Sequence, residues 1–422
     1  MLISLIINNY QIFNQEVEFS MSANMHIKHF LSSIYKFEKL NILKSAILLG
    51  PNNAGKTCFI RAIKTMKSIM LNQNHIIQNN IFSNDDISEM TVSFLEDKHE
   101  YCFSIKYDIK KKEYIYERFS EIFHDVHNNI REEEFLLRDM ENSDYRCLDQ
   151  ELVPLMKVAS KNSILAYTFD TSNFPTLKTI KDSIISFASK IDIIDMNNIP
   201  FKKTIECMKN NNAMKEKIVS FIKNADLSLD DFRYLSDDEL EISVFSKEKP
   251  QESVLSNSKQ LLDLLHLTSI YNGVPVPSLL FDSTGTKKIA AISSYVIDAI
   301  ANDRILIVDE LDNSLHFKLT RAIIAMFNNE LNNKAQLIAT VHDSSLIDCQ
   351  TLFRKDQIWF AHKDRDNAYL YSLSEFTADK DKTRSNSDLV EKYKKGVFGA
   401  LPEPDLFDSL LEVRKSVKST ND

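Results

Sequence analysis

The stretch Gly50-Pro51-Asn52-Asn53-Ala54-Gly55-Lys56-Thr57 places a lysine and a hydroxyl at the end of a glycine-flanked loop. Those are the residue types that hold a phosphate chain and its metal, and the spacing is GxxxxGK[ST]. The chain has only 6 glycines in 422 residues, and two of them flank this loop. Glycine is used where positive φ or close backbone approach demands it. The apolar run Ala46 to Leu49 ahead of the loop reads as a buried strand. Phe59, Ile60 and Ile63 behind it keep helical spacing. In a strand–loop–helix context, the backbone amides from Asn52 to Thr57, with Cys58 next in line, wrap a β-phosphate at a helix N-terminus. Lys56 then reaches the β- and γ-phosphates, and the Thr57 hydroxyl takes Mg²⁺. Without that context the same residues are an ordinary glycine turn.

A phosphate loop needs a second acid for the metal and a base for the attacking water. Arg304-Ile305-Leu306-Ile307-Val308-Asp309-Glu310 offers both. Four apolar residues predict a strand that delivers Asp309 to the metal and Glu310 to the water. Between loop and acids, Ser283-Thr284-Gly285 precedes a run with Ile289, Ile292, Val296 and Ile300 on one helical face. The Ser283 hydroxyl and Gly285 amide would form an anion-binding helix start; a plain N-cap by Ser283 or Thr284 has the same appearance. After Glu310, the apolar run Leu337 to Val341 delivers His342 as a residue able to sense a phosphate or the water. By resemblance to ABC-type ATPases, Asp312 falls where a subunit contact is expected, and His316 reads equally as helix packing or as function. For the metal-sensing glutamine of ABC-type sites the candidates are Gln73 and Gln78, and surface loop is the leading reading of both.

The elements that must position these residues follow from periodicity. LISLIINNY, QEVEFSM, SAILLG, EMTVSFLED and a hairpin through EYCFSIKYDIKKKEYIYERF read as strands. The basic run Lys106 to Lys112 reads as the solvated turn of that hairpin. From about 125 helical spacing dominates: Ile180, Ile184, Phe187, Ala188 and Ile191 share one face, as do Met214, Ile218, Phe221 and Ile222. LEISVF and VPSLLFD read as returning strands, WFAHKDRDNAYLYSLSEF as a hairpin turning at Asp364 to Asn367, and RKSVKSTND as a frayed tail. The expected fold class is α/β, with a mixed sheet split by a helical insertion. The expected division is an N-terminal lobe over 1–124, the insertion over 125–244 and a C-terminal lobe over 245–422.

Composition bounds the partners. The formal net charge of −9 argues against a chain coated uniformly for nucleic acid, although a local basic face stays open. The five cysteines are scattered, which suggests neither a zinc site nor a disulfide framework. A thiol beside the loop, at Cys58, is reactive only if its pKa is depressed; a buried inert thiol is the alternative. With no basic-then-apolar leader and no run of 18 apolar residues, a reduced cytoplasmic location is expected and no membrane partner.

Loop, Ser-x-Gly helix, Asp-Glu strand and histidine come in this order, with a long gap between loop and acids. On these features the chain resembles the ABC-type ATPases of the OLD and abortive-infection group, among the ABC, SMC and OLD P-loop NTPases. It resembles more narrowly the stand-alone ATPases of the AbiL/RloA and PARIS AriA kind. GPNNAGKT, NADLSLDDF, DSTGTKKI, ILIVDELDNSLH, ATVHDSSLID, KDQIWFAHKD and KYKKGVFGALPEPD carry the resemblance. It implies ATP and Mg²⁺ held by Asn52 to Cys58, Ser283, Gly285 and Asp309, with Glu310 and His342 catalytic. It implies sites shared by a homodimer or larger oligomer, and a sensor role in anti-phage defence. It also implies a separately encoded TOPRIM-like or RloB-like effector nuclease and a phage trigger. A DNA-engaging ATPase of the SMC and recombination-repair type is the alternative.

Overall fold

The computed structural model describes residues 1–124, 130–210, 212–225, 228–236, 263–376 and 388–401. The expected strand LEISVF, the tail RKSVKSTND and the end of KYKKGVFGALPEPD lie outside them.

Six strands meet in one sheet. Its order is 191–195, 305–309, 336–340, 45–49, 358–363, 368–372. All neighbours are parallel except the last hairpin, which turns at Asp364 to Asn367 as expected. The strands Ile305–Asp309, Gln336–Thr340 and Ser45–Leu49 are buried along their whole length. That is the behaviour of parallel strands covered on both faces.

One face carries the helices Lys56–Met70 and Pro175–Ser189; the other carries Thr284–Ala301 and Phe317–Asn328. A seven-stranded antiparallel sheet, from Asp144–Cys147 through to Leu2–Asn8 and Val17–Ser20, lies beyond the first pair of helices. Phe19 of this sheet wedges between Phe59 and Trp359, with ring centroids 4.7 and 4.9 Å away. Gln336 joins the two sheets. It is fully buried; its Nε2 donates to the carbonyls of Leu2 and Leu43, and its Oε1 accepts from the Leu2 amide at 2.6 Å. Three backbone groups thus depend on one amide side chain.

The span 125–244 is less helical than its spacing suggested. Ile130–Asp139 and Asp144–Cys147 extend the antiparallel sheet, and Ile191–Asp195 is an edge strand of the parallel one. The acidic run Glu132-Glu133-Glu134 hid the first strand's alternation, because Arg118 on the neighbouring strand pairs with Glu132 and Glu134 across the sheet. Ile191 fell into register with the preceding helix face, yet it is the first residue of a strand. The expected helical face of Met214, Ile218, Phe221 and Ile222 falls on the helix Asn212–Asn224, which with Lys202–Asn210 packs against Thr284–Ala301, beside a small sheet of Asp231–Tyr234, Leu267–Tyr271 and Val274–Pro277. The expected strand VPSLLFD stops at Pro277, where one helical turn, Ser278–Phe281, begins. No helix among the described residues is long and apolar enough to cross a membrane.

Replacing Gln336 by leucine should leave three buried backbone groups unpaired. Each such group costs about 1–3 kcal/mol, so urea denaturation should show a loss of about 3 kcal/mol or more in unfolding free energy.

Candidate functional site

Parallel register brings the carboxyl ends of the central strands level: Asp195 pairs with Asp309, Val308 with Ala339 and Thr340 with Leu48. Ligands of open α/β sheets sit beyond these ends, and here the phosphate loop, the acids and His342 all emerge.

The two flanking glycines answer to local geometry. A Cβ on Gly50 would stand 2.2 Å from the Ala361 carbonyl oxygen of the neighbouring strand. Gly55 has φ 110°, and a Cβ there would stand 2.9 Å from Ile12 and 3.1 Å from Phe13. Between them Asn52 and Asn53 are exposed, Asn53 at φ 64°, and Ala54 is buried with its amide on the Pro51 carbonyl. Gly55 then starts the helix, whose first amides have no partner within it. The Lys56 ammonium is buried and donates to the carbonyls of Gly50, at 2.6 Å, and Pro51. Burial lowers its pKa, while the carboxylates of Asp309, Glu310 and Asp312 push it back up. Burial raises the Cys58 thiol pKa, which disfavours the reactive thiolate.

Thr57 and Asp309 meet across 252 residues: the hydroxyl donates to Oδ2 at 2.9 Å. The other oxygen of Asp309 accepts from the Thr340 hydroxyl at 2.5 Å, and that hydroxyl accepts from the Glu310 amide at 2.7 Å. Thr340 therefore sets both acids. It sits two residues before His342, on a strand read only for the histidine. Glu310 has φ 56°, a left-handed conformation costing roughly 1–2 kcal/mol for a residue with a side chain.

Glu310 has two partners that the sequence reading missed. Asn197 and Asn313 donate to its Oε2 at 2.9 and 3.0 Å, and Asn313 also donates to Asn197 Oδ1 at 2.6 Å. These contacts, the Asn197 bond first, hold the Glu310 carboxyl below the usual range. Asn197 follows the strand Ile191–Asp195, so misreading that strand as helix hid it; the signal was the polar Asn-Asn pair after IDIID. Gln73 lies beyond the far end of the fifteen-residue helix, about 1.5 Å per residue from the loop, and Gln78 is exposed in the segment that follows. Neither reaches the acids.

His342 lies beside Glu310, with Nε2 3.8 Å from Oε1, beyond a hydrogen bond. Asp312 is tied within its own chain to the His342 loop. Its Oδ2 accepts the amides of His342 and Asp343 at 2.8 and 2.6 Å, and its Oδ1 is buried without a partner. The histidine-bearing loop needs two acceptors, and the aspartate turned inward supplies one for both. His316 is the N-cap of helix Phe317–Asn328 and stands apart from the site.

Ser283 caps Thr284–Ala301, accepting from the Thr286 amide at 3.1 Å; Ser283 and Thr284 are exposed. Among the described residues its hydrogen bonds stay within that turn. Its helix joins the acids differently: Lys288 donates to the Asn313 carbonyl and Oδ1, and a Cβ on Gly285 would stand 3.1 Å from the Ser314 carbonyl oxygen. The loop, Asp309, Glu310 and His342 thus come together, whereas Ser283 and Gly285 form a separate, outward-facing end.

The donor set fits magnesium. No three His, Cys, Asp or Glu gather into a cage among the described residues. Mg²⁺ in phosphate sites uses one or two protein oxygens and fills its octahedron from phosphate and water; the Thr57 hydroxyl and Asp309 supply such a pair.

A family model described as "AAA domain, putative AbiEii toxin, Type IV TA system" matches residues 45–348, well over half of the chain. No curated protein matches it. Three solved structures are similar over most of the chain. An SmcHead bound to the C-winged helix domain of ScpA has 12% identity, covering 88% of this chain and 97% of its own, with TM-score 0.47. The SMC head domain from Thermotoga maritima has 10% identity, 88% and 98% coverage, and TM-score 0.42. An Smc head with an extended coiled coil, bound to the C-terminal domain of ScpA derived from Pyrococcus furiosus, has 11% identity, 93% and 99% coverage, and TM-score 0.43.

Replacing Asn197 by alanine removes the largest influence holding the Glu310 carboxyl down, so its pKa should rise. A ¹³C NMR titration of the labelled glutamate side chain should show its midpoint move to higher pH.

Proposed function

This chain belongs to that AAA family, with the α/β P-loop NTPase fold of the ABC/SMC/OLD type, and from that premise we propose that it binds and hydrolyses ATP in sites completed between two protomers. The observation that carries the reading is the contact of Thr57 with Asp309, which sets a phosphate loop against an acid whose neighbour is a braced, ionised glutamate. The amides from Asn52 to Cys58 would cradle the phosphates and Lys56 would reach the β- and γ-groups. Thr57 and Asp309 would hold Mg²⁺, which when bound offsets phosphate charge.

Glu310 is the base. Its Oε2 is occupied by the two asparagines, so Oε1, on the His342 side, takes the proton from the attacking water. The water oxygen bonds to the γ-phosphorus as the bridging P–O bond breaks and ADP leaves. His342, beside Glu310, would sense the γ-phosphate. Ser283 and Gly285, on an exposed helix start, would close the site of a second copy.

The biological reading is a cytoplasmic sensor and scaffold ATPase of an anti-phage, abortive-infection system, akin to the OLD group and its AbiL/RloA and AriA-like members. A phage trigger would release the ATP-held state to a separate TOPRIM-like or RloB-like nuclease. The family description, with its toxin of a TA system, and the motif set support this setting.

Three variants test the site. Lys56→Ala should lose ATP binding. Glu310→Gln should keep binding and lose about 10²–10⁴-fold in kcat. Lys56→Ala and Ser283→Arg, each inactive alone, should regain turnover when mixed, because one hybrid site joins the sound loop of one to the sound Ser283 turn of the other. No recovery in subunits shown to exchange would place the whole site within one chain. Stimulation of turnover by DNA, with salt-sensitive binding, would instead favour a DNA-engaging motor.

A further inference from the structure

Asp282, immediately before Ser283, is a buried carboxylate, 6% exposed. Burying a carboxylate is costly unless it is hydrogen-bonded. Three hydroxyls meet this need. Ser269 and Ser278 donate to Oδ2 at 2.6 and 2.5 Å, and Tyr271 donates to Oδ1 at 2.8 Å. Ser269 and Tyr271 belong to the middle strand of the small sheet, Leu267–Tyr271, and Ser278 opens the helical turn Ser278–Phe281. Burial and the adjacent carboxylate push the Tyr271 hydroxyl pKa up to about 12, so it stays a donor at neutral pH.

The position of this clasp matters. Asp282 ends one helical turn, and the next residue caps the long helix Thr284–Ala301. With the carboxylate tied to the small sheet, the chain enters the Ser283 turn from a fixed point one residue away. The same turn leaves Phe281 63% and Leu280 58% exposed, so the clasp also fixes which way this apolar pair faces beside Ser283. Charge-assisted hydrogen bonds of this kind are roughly twice as strong as neutral ones.

We propose that Asp282, held by Ser269, Tyr271 and Ser278, is the positioning residue for the Ser283 turn, and that it serves the ATP site of the partner copy rather than its own. This rests on the shared-site reading above. A misplacement of about 1 Å in such a group can cost on the order of a hundredfold in rate.

The test uses full-length Asp282→Ala, Asp282→Asn and Tyr271→Phe, with Lys56→Ala and Ser283→Arg as companions. Asp282→Ala should bind ATP like the unsubstituted protein, since its phosphate loop is intact, yet lose turnover by about tenfold or more. Asp282→Asn should regain most of it: the amide oxygen can accept from both serines while the amide nitrogen donates to Tyr271. Tyr271→Phe should fall between, and it keeps the question answerable if the alanine variant folds poorly. Mixed with Lys56→Ala, Asp282→Ala should recover turnover as fully as Ser283→Arg does. Recovery with Ser283→Arg but none with Asp282→Ala would overturn the inference and leave the shared-site reading standing. Recovery with neither, in exchanging subunits, would overturn both. Unaltered turnover in Asp282→Ala alone would also overturn the inference.

Discussion

The contact between Thr57 and Asp309 is the closure on which the rest of the site depends. It joins the phosphate loop to the acid strand across most of the chain, and the sheet order explains how. The strands Ser45–Leu49 and Ile305–Asp309 are not neighbours; Gln336–Thr340 lies between them. Its last residue, Thr340, fills the space between by donating to Asp309 and accepting from Glu310. The long intervening span is tolerable because closure entropy grows only logarithmically, about 0.6 kcal/mol for each doubling of loop length. The span also supplies material to the site, since Ile191–Asp195 docks on the acid strand and delivers Asn197.

Electrostatics then sort the groups around that closure. Burial works against the Lys56 charge, and the three nearby carboxylates work for it. The carboxylates are in turn separated by their partners. Asp309 takes two hydroxyls, Glu310 takes two amide groups and Asp312 takes two backbone amides. Three acids in four residues would repel one another as free carboxylates. Here each is aimed in its own direction, and the left-handed turn at Glu310 is part of the cost of that arrangement.

The legibility of this site in the sequence followed the chemistry. Gly50, Gly55, Lys56, Thr57, Asp309 and Glu310 stand out because the proposed chemistry requires particular residue types at particular spacings; a Cβ at Gly50 would strike the Ala361 carbonyl, and Gly55 has φ 110°. His342 was legible as the end of an apolar strand. Asn197, Asn313, Thr340 and Asp282 were not. Each acts by holding another group, a task open to many polar residues, so type and spacing gave no signal. The strand Ile130–Asp139 was hidden by charges that cross-strand arginine pairs absorb, and Ile191–Asp195 by a helix face that ran on into it by coincidence of register. The Asp312 bonds were not legible either, because they depend on which amides lack acceptors, and that is fixed only when the His342 loop comes alongside.

Asn313 links the two ends of the molecule that the motifs left separate. Its side-chain amide nitrogen donates to Glu310 and Asn197, and its carbonyl and side-chain oxygens accept from Lys288. Lys288 sits just over one turn into the helix that Ser283 caps. The outward-facing helix start and the inward-facing glutamate are therefore two side chains apart, with no flexible segment between them. A displacement of the helix start is borne first by the Lys288 contacts and then by the asparagine that fixes Glu310 Oε2. Asp282 anchors the other side of that helix start to the small sheet. The turn at Ser283 is thus held between two anchors, one leading to its own chain's acids and one leading away from them. For such an element, the balance between the two anchors, more than the strength of either, determines where the serine stands.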